Sequence, residues 1–144
     1  MPVEERLGSS IKRAEQALQG AKLAALKPAG VTVPQYAALY VLSQNPGISA
    51  AELARRCGVT PPTMNTVLAN LRDRGFIERT PHALHRNVIE TRLTEAGETV
   101  MYAADKRAVR VERALAAEFT DQERESLMDM LARAAALLDS VRPE

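Results

Sequence analysis

Caps and breakers crowd the stretch from Ser49 to Arg92, and their order leaves little choice of fold. Ser49-Ala50-Ala51-Glu52 reads as a capping box, in which a Ser hydroxyl and a Glu carboxylate satisfy two of the unpaired amides that open a helix. The helix that follows is short. Cys57-Gly58 ends it, and glycine is the residue that most readily takes the left-handed cap. Thr60-Pro61 opens a second helix in the same grammar, with a proline whose fixed backbone suits the first turn, and Gly75 closes it. Strand-like runs come next, around Phe76–Arg79 and Val88–Arg92, with a long tip from Thr80 to Asn87 between them. Helix, turn, helix and β-hairpin in that order make a helix-turn-helix with a wing.

The flanks are helical. Leu7, Ile11, Ala14, Leu18, Ala21 and Ala25 recur at helical spacing and stop before Lys27-Pro28-Ala29-Gly30. Thr32 caps a second helix, with Pro34 in its first turn and Gln35 completing a box, and Asn45-Pro46-Gly47 ends it. Thr94 starts a long helix to about Glu118, with Val100, Met101, Ala104, Ala108, Val111 and Leu115 on one face. Thr120 and Glu123 cap the last helix, whose stripe is Leu127, Met130, Leu131, Ala134, Leu137, Leu138 and Val141. The expected class is mainly α with a small β-hairpin wing. Residues 31–94 form a winged helix-turn-helix. Residues 1–30 and 95–144 form a helical dimerisation part, the whole being one intertwined domain. Such amphipathic helices cannot bury themselves alone. They pack either on the central module or against a second copy. The second arrangement is the expected one, because recognition helices about 34 Å apart read two half-sites of a palindrome.

A chain of 144 residues suits one compact domain or a dimer that shares a core. Charge is balanced, with 19 Lys and Arg against 18 Asp and Glu. From Ser49 to Arg92, however, seven arginines face four acidic residues, a local +3 that leaves −2 elsewhere. Cys57 is the only cysteine, so no intrachain disulfide forms, which fits a reducing cytosol. The opening MPVEERLGSS is polar and mixed in charge, unlike a signal peptide, and no apolar run approaches the roughly 20 residues that span a bilayer. A cytoplasmic chain without membrane contact is expected. No paired carboxylates in context, Gly-rich phosphate loop or Ser/His/Asp set is present, so neither an enzyme nor a cofactor is expected. His82 and His85, without a Cys or carboxylate cluster, make a poor metal site.

A helix-turn-helix presents its second helix to the major groove of DNA. Met64, Val67, Leu68 and Leu71 recur at i, i+3, i+4, i+7 and are assigned to the core. The opposite face then carries Pro62, Thr63, Asn65, Thr66, Ala69 and Asn70. Asn bonds adenine edges in bidentate fashion, and Thr meets either base edge or a thymine methyl. Thr60 is a cap that also suits a phosphate at the helix N-terminus. Arg79, His85, Arg86 and Asn87 are the candidate contacts of the wing. Arg55, Arg56, Arg72 and Arg74 are divided between DNA and pairing with Glu52, Asp73 or Glu78.

The spacing of these pieces resembles the MarR family of bacterial transcriptional regulators. Thr32-Val33-Pro34-Gln35-Tyr36 with Leu39 is similar to the family's helix opening, and Ser49-x-x-Glu52-Leu53-Ala54 with Val59-Thr60-x-x-Thr63 to its helix-turn-helix. Leu71-x-x-x-Gly75-Phe76-Ile77-x-Arg79 resembles the passage into the wing, and Leu93-Thr94-x-x-Gly97 the way out. The resemblance implies a homodimer that binds a pseudo-palindromic operator in double-stranded DNA, represses transcription and is released by a small-molecule effector. It places Tyr36, Tyr40 and Met101 beside a possible ligand pocket. One departure stands out: where the family carries Asp-x-Arg in the wing, this chain has His85-Arg86-Asn87. In an extended hairpin the one-residue offset turns Arg86 to the other face; an irregular tip restores it to the groove. Two rival functions are a winged-helix module that binds protein rather than specific DNA, and a thiol-based redox sensor using Cys57.

Overall fold

In the computed structural model, which describes residues 1–142, every α-helix after the first begins at a hydroxyl cap. Helix α1 spans Leu7–Leu26 and runs into a tight turn at Lys27–Ala29. Helices α2 (Val33–Gln44), α3 (Ala50–Cys57) and α4 (Pro61–Asp73) follow. Strands β1 (Ile77–Pro81) and β2 (Ile89–Leu93) form one antiparallel hairpin, with Ile77 opposite Leu93 and Arg79 opposite Thr91. Helices α5 (Glu95–Ala117) and α6 (Asp121–Ser140) complete the chain.

The expected caps at Thr32 and Thr120 are complete boxes. The one at Ser49 is half a box. Its hydroxyl accepts the Glu52 N–H at 3.3 Å, but the Glu52 carboxylate is taken by Arg55 and Arg56, three and four residues further along the helix. The strands also sit slightly later than the expected 76–79 and 88–92. Phe76 is held out of the ladder because its N–H closes α4 on Leu71 O at 2.9 Å.

The chain divides into two compact units, residues 1–109 and 110–144. In the first, Leu39 and Leu42 of α2, Leu53 of α3, Met64, Leu68 and Leu71 of α4, Ile77 of β1 and Met101 and Ala104 of α5 form the core, none more than 3% exposed. Full burial of such a side chain contributes about 1.5–3 kcal/mol. Truncating Leu68 to Ala would cost about 2–5 kcal/mol, since the cavity cannot fully close. Val67, expected in this core, packs against it half-buried.

Two glycines shape the module. Gly58 sits between α3 and α4 at φ 68°, a left-handed conformation that turns one helix into the next. Gly97 lies in α5 against the wing: a Cβ there would come 1.9 Å from Phe76 O. Next to it, Thr94 donates to Gly75 O at 2.6 Å, accepts from Gly97 N at 3.1 Å, and gives its own N–H to Phe76 O at 3.0 Å. The wing exit is thus bound to the end of α4. A further rung ties the hairpin to the α2–α3 connection, where Gly47 N donates to Thr91 O at 3.0 Å and Thr91 N to Ile48 O at 3.3 Å.

The second unit contains the last turns of α5 and all of α6. No described residue of α6 is buried. Its apolar stripe stands open, with Leu137 63% and Leu138 56% exposed, and Val141, which caps its end, is 63% exposed. Among the described residues no helix is long and apolar enough to cross a membrane.

Candidate nucleic-acid interface

Helix α4 separates its two faces cleanly. Met64, Leu68 and Leu71 are buried, while Pro62, Thr63, Asn65, Thr66, Ala69 and Asn70 are exposed. Its N-terminus is closed by Thr60, whose hydroxyl accepts the Thr63 N–H at 3.3 Å and donates to Thr63 Oγ1 at 2.9 Å. Thr66 is exposed, and its hydroxyl donates back to Pro62 O at 3.2 Å within the same helix. Asn65 makes no hydrogen bond within the chain among the described residues, so its amide keeps both a donor and an acceptor for a base edge.

Asn70 differs. Its Oδ1 accepts from Gln35 Nε2 at 2.9 Å, so this exposed side chain is already engaged by the start of α2. The sequence shows no trace of this bond, which spans 35 positions.

Most of the local arginines are also engaged. Arg55 and Arg56 pair with Glu52, and Arg56 Nη1 donates to Asn45 Oδ1 at 2.8 Å. The two guanidiniums hold the Glu52 carboxyl below its ordinary value, and Glu52 in turn raises Arg55. Arg72 lies 3.9 Å from Asp73, Arg74 covers the Phe76 ring at 4.7 Å, and Arg92 donates to Glu90 at 2.7 Å. Arg79 and Arg86, both in the hairpin, have no carboxylate partner among the described residues.

These two arginines are placed differently. Arg79 shares the inner face of the hairpin with buried Ile77, and its Nε is buried without a hydrogen-bond partner. Opposite it, Thr91 is fully buried and its Oγ1 is unpartnered as well. Arg79 therefore emerges from beneath the wing rather than from its outer surface. Arg86 and Asn87 are exposed and form the middle of a turn closed by Val88 N to His85 O at 2.8 Å. The tip is irregular, so strand alternation does not decide where Arg86 points. His85 is exposed too, and its ring stacks on His82 at 5.2 Å.

Of the residues placed at a ligand pocket, Tyr36 and Tyr40 touch each other, and Tyr36 packs on the core that contains Met101. Met101 is core, 3% exposed. Tyr36 donates to Asp105 Oδ1 at 2.6 Å and meets Tyr40 edge-on at 6.1 Å. An open depression of about 270 Å³ lies elsewhere, between Gln19, Gly20 and Leu23 of α1 and Thr32, Val33 and Pro34 at the start of α2. Cys57 is half-buried against the core, and burial pushes its thiol above the ordinary cysteine value. Among the described residues no three His, Cys, Asp or Glu side chains gather as metal ligands would.

A capped two-helix turn with an outward polar face and a paired β-hairpin defines a winged helix-turn-helix protein. Residues 29–86 match the sequence profile of the MarR family. The HTH-type transcriptional repressor Rv2887 of Mycobacterium tuberculosis is 40% identical over 110 residues, which cover 72% of this chain and 79% of that protein. The chain belongs to the MarR family of transcriptional regulators. Among solved structures, the transcriptional repressor CouR bound to a 23-mer DNA duplex superposes with a TM-score of 0.84 at 30% identity, covering 92% of this chain and 94% of that one. Rv2887 of Mycobacterium tuberculosis in complex with salicylic acid gives a TM-score of 0.70 at 33% identity, covering 90% and 96%.

Proposed function

We propose that this chain is a dimeric, sequence-specific DNA-binding repressor of transcription whose grip on its operator is loosened by a small ligand. The observation that carries the reading is the outward face of α4, where Thr63, Asn65 and Thr66 stand exposed above a buried stripe that holds the helix in place. Asn65 and Thr66 read base edges, and Thr63 and Pro62 border the groove. Thr60 caps α4 and meets a phosphate at the helix N-terminus. Asn70 supports the helix through Gln35 instead of reading bases. Arg86 and Asn87 at the wing tip, with His85 beside them, approach the adjacent groove, while Arg79 supplies positive charge from the hairpin's inner face. The likeness to CouR bound to a DNA duplex supports this arrangement.

The open stripe of α6, with Val141 at its C-cap, supports dimerisation: Leu137, Leu138 and Val141 leave water when a second copy covers them. We assign residues 31–94 to DNA and residues 1–30 with 95–144 to the dimer. A small effector, for which the salicylic acid complex of Rv2887 is a precedent, borders Tyr36 and Tyr40, with Met101 packed behind. Its effect requires different affinity for two arrangements of the protein. A cytoplasmic location, where the operator DNA would be, is part of the same proposal.

Fluorescence polarisation with duplex DNA flanking the protein's own gene tests the reading. Binding is expected to be at least about a thousandfold tighter than to random duplex at the same salt. Equal affinity for both duplexes defeats it.

A further inference from the structure

The wing tip is built around one imidazole. His82 N donates to Val88 O at 2.7 Å and so closes the loop beyond Pro81. Inside that loop, His82 Nδ1 accepts the N–H of Leu84 and the N–H of His85, each at 3.0 Å. Asn and Asp organise turns in the same way, with the side-chain oxygen taking amides two and three residues on. Nδ1 of a histidine occupies the place of that oxygen. With Nδ1 as acceptor, the ring hydrogen sits on Nε2. That nitrogen faces Glu90 Oε1 at 3.6 Å, and Glu90 is itself held by Arg92 at 2.7 Å. His85, fixed by its own amide, then offers the carbonyl that closes the turn around Arg86 and Asn87.

We propose that His82 is the positioning residue of the wing: its unprotonated Nδ1 holds the tip in the shape that presents Arg86 and Asn87 to DNA. The proposal rests on the reading that the wing meets DNA. The charged and titratable groups facing the ring are Glu90, with Arg92 behind it, from β2, and the stacked His85 from the loop. A proton on Nδ1 replaces the acceptor with a donor, and both amide bonds are lost. Glu90 still holds Nε2 but supplies no acceptor for Leu84 and His85. Protonation at Nδ1 therefore loosens the tip.

Three proteins and two readouts test this. His82→Ala removes the acceptor. His82→Asn restores one in the same place and cannot gain a proton. In the free dimer, exchange of the Leu84 and His85 amides is followed by NMR. Wild type is expected to protect both near pH 8 and lose protection near pH 5, His82→Asn to protect both throughout, and His82→Ala neither. Retained protection in His82→Ala, or parallel loss in wild type and His82→Asn, overturns the proposal. Operator affinity is read on the same proteins. His82→Ala is expected to bind about tenfold more weakly than wild type near pH 8, equivalent to about 1.4 kcal/mol, with most of the loss rescued by Asn. Acidification should weaken wild type more than His82→Asn, which shares every other titrating group. Equal affinities of the three proteins overturn the positioning role even if protection behaves as expected. Failure of the repressor reading is separate, since it shows in wild type near pH 8 as absent operator preference.

Discussion

Gln35 bonds in two directions: its Oε1 accepts the Thr32 N–H at 3.0 Å, and its Nε2 donates to Asn70 Oδ1 at 2.9 Å. One side chain thus completes the cap of α2 and ties that helix to the third turn of α4. The neighbouring Tyr36 ties α2 to α5 through Asp105. Replacing Gln35 by Ala removes both bonds, whereas Asn70→Ala removes only the second. In a double-mutant cycle followed by urea denaturation, the pair should couple by about 0.5–1.5 kcal/mol, at the low end because the bond is exposed. Strictly additive losses would show that the bond contributes nothing to stability.

Gly97 and Phe76 give the sharpest steric prediction. A methyl group at position 97 meets a backbone carbonyl, which cannot rotate away as a side chain would. That carbonyl also receives the Thr94 N–H, so shifting α5 breaks a second contact. Gly97→Ala should destabilise by about 1–3 kcal/mol or more, against the gain that Ala normally brings to a helix interior. A melting temperature equal to or above wild type would contradict this close approach.

The caps were readable because capping is local chemistry. Thr32, Thr60 and Thr120 each accept an amide three residues on, as the spacing implies. Glu52 shows the limit of that logic: Arg55 and Arg56 lie within the same helical turn and compete for its carboxylate. The inward placement of Arg79, a candidate wing contact, is legible in the strand's alternation. It lies two residues from buried Ile77 and so falls on the same face of the strand. Asn70 was not readable, since its partner lies in another helix. His82 was concealed by residue type, because it makes a turn that would be expected of Asn or Asp.

Asn65 and Arg86 should fail in different ways. Asn65→Ala removes a base contact, so operator binding should weaken by about 1–3 kcal/mol while binding to random duplex changes little. Arg86→Ala removes a positive charge from the exposed wing tip. Affinity should then fall for all sequences, and the salt dependence should shallow by about one unit of slope. Titrations at several salt concentrations separate the two. If Asn65→Ala combined with Thr66→Ala leaves the affinity for operator untouched, α4 does not read DNA, and a protein-binding role for the module is the better account.

Cys57 completes the set. Burial lifts its thiol above the ordinary cysteine value, and the nucleophile is the thiolate. Alkylation by iodoacetamide should therefore lag behind a free thiol near neutral pH and catch up only in alkaline solution. The stability consequence has a definite sign. The folded state keeps its proton where the unfolded state has begun to lose it, so this contribution is fully present below the ordinary cysteine value, about pH 8.5, and declines as pH rises through the folded value. The difference in unfolding free energy between wild type and Cys57→Ala should narrow over that alkaline window. An oxidant sensor needs the opposite arrangement, a thiolate populated at neutral pH. Peroxide should accordingly leave operator binding unchanged in wild type and in Cys57→Ser alike. Release by peroxide in wild type, abolished in Cys57→Ser, would reinstate the sensor.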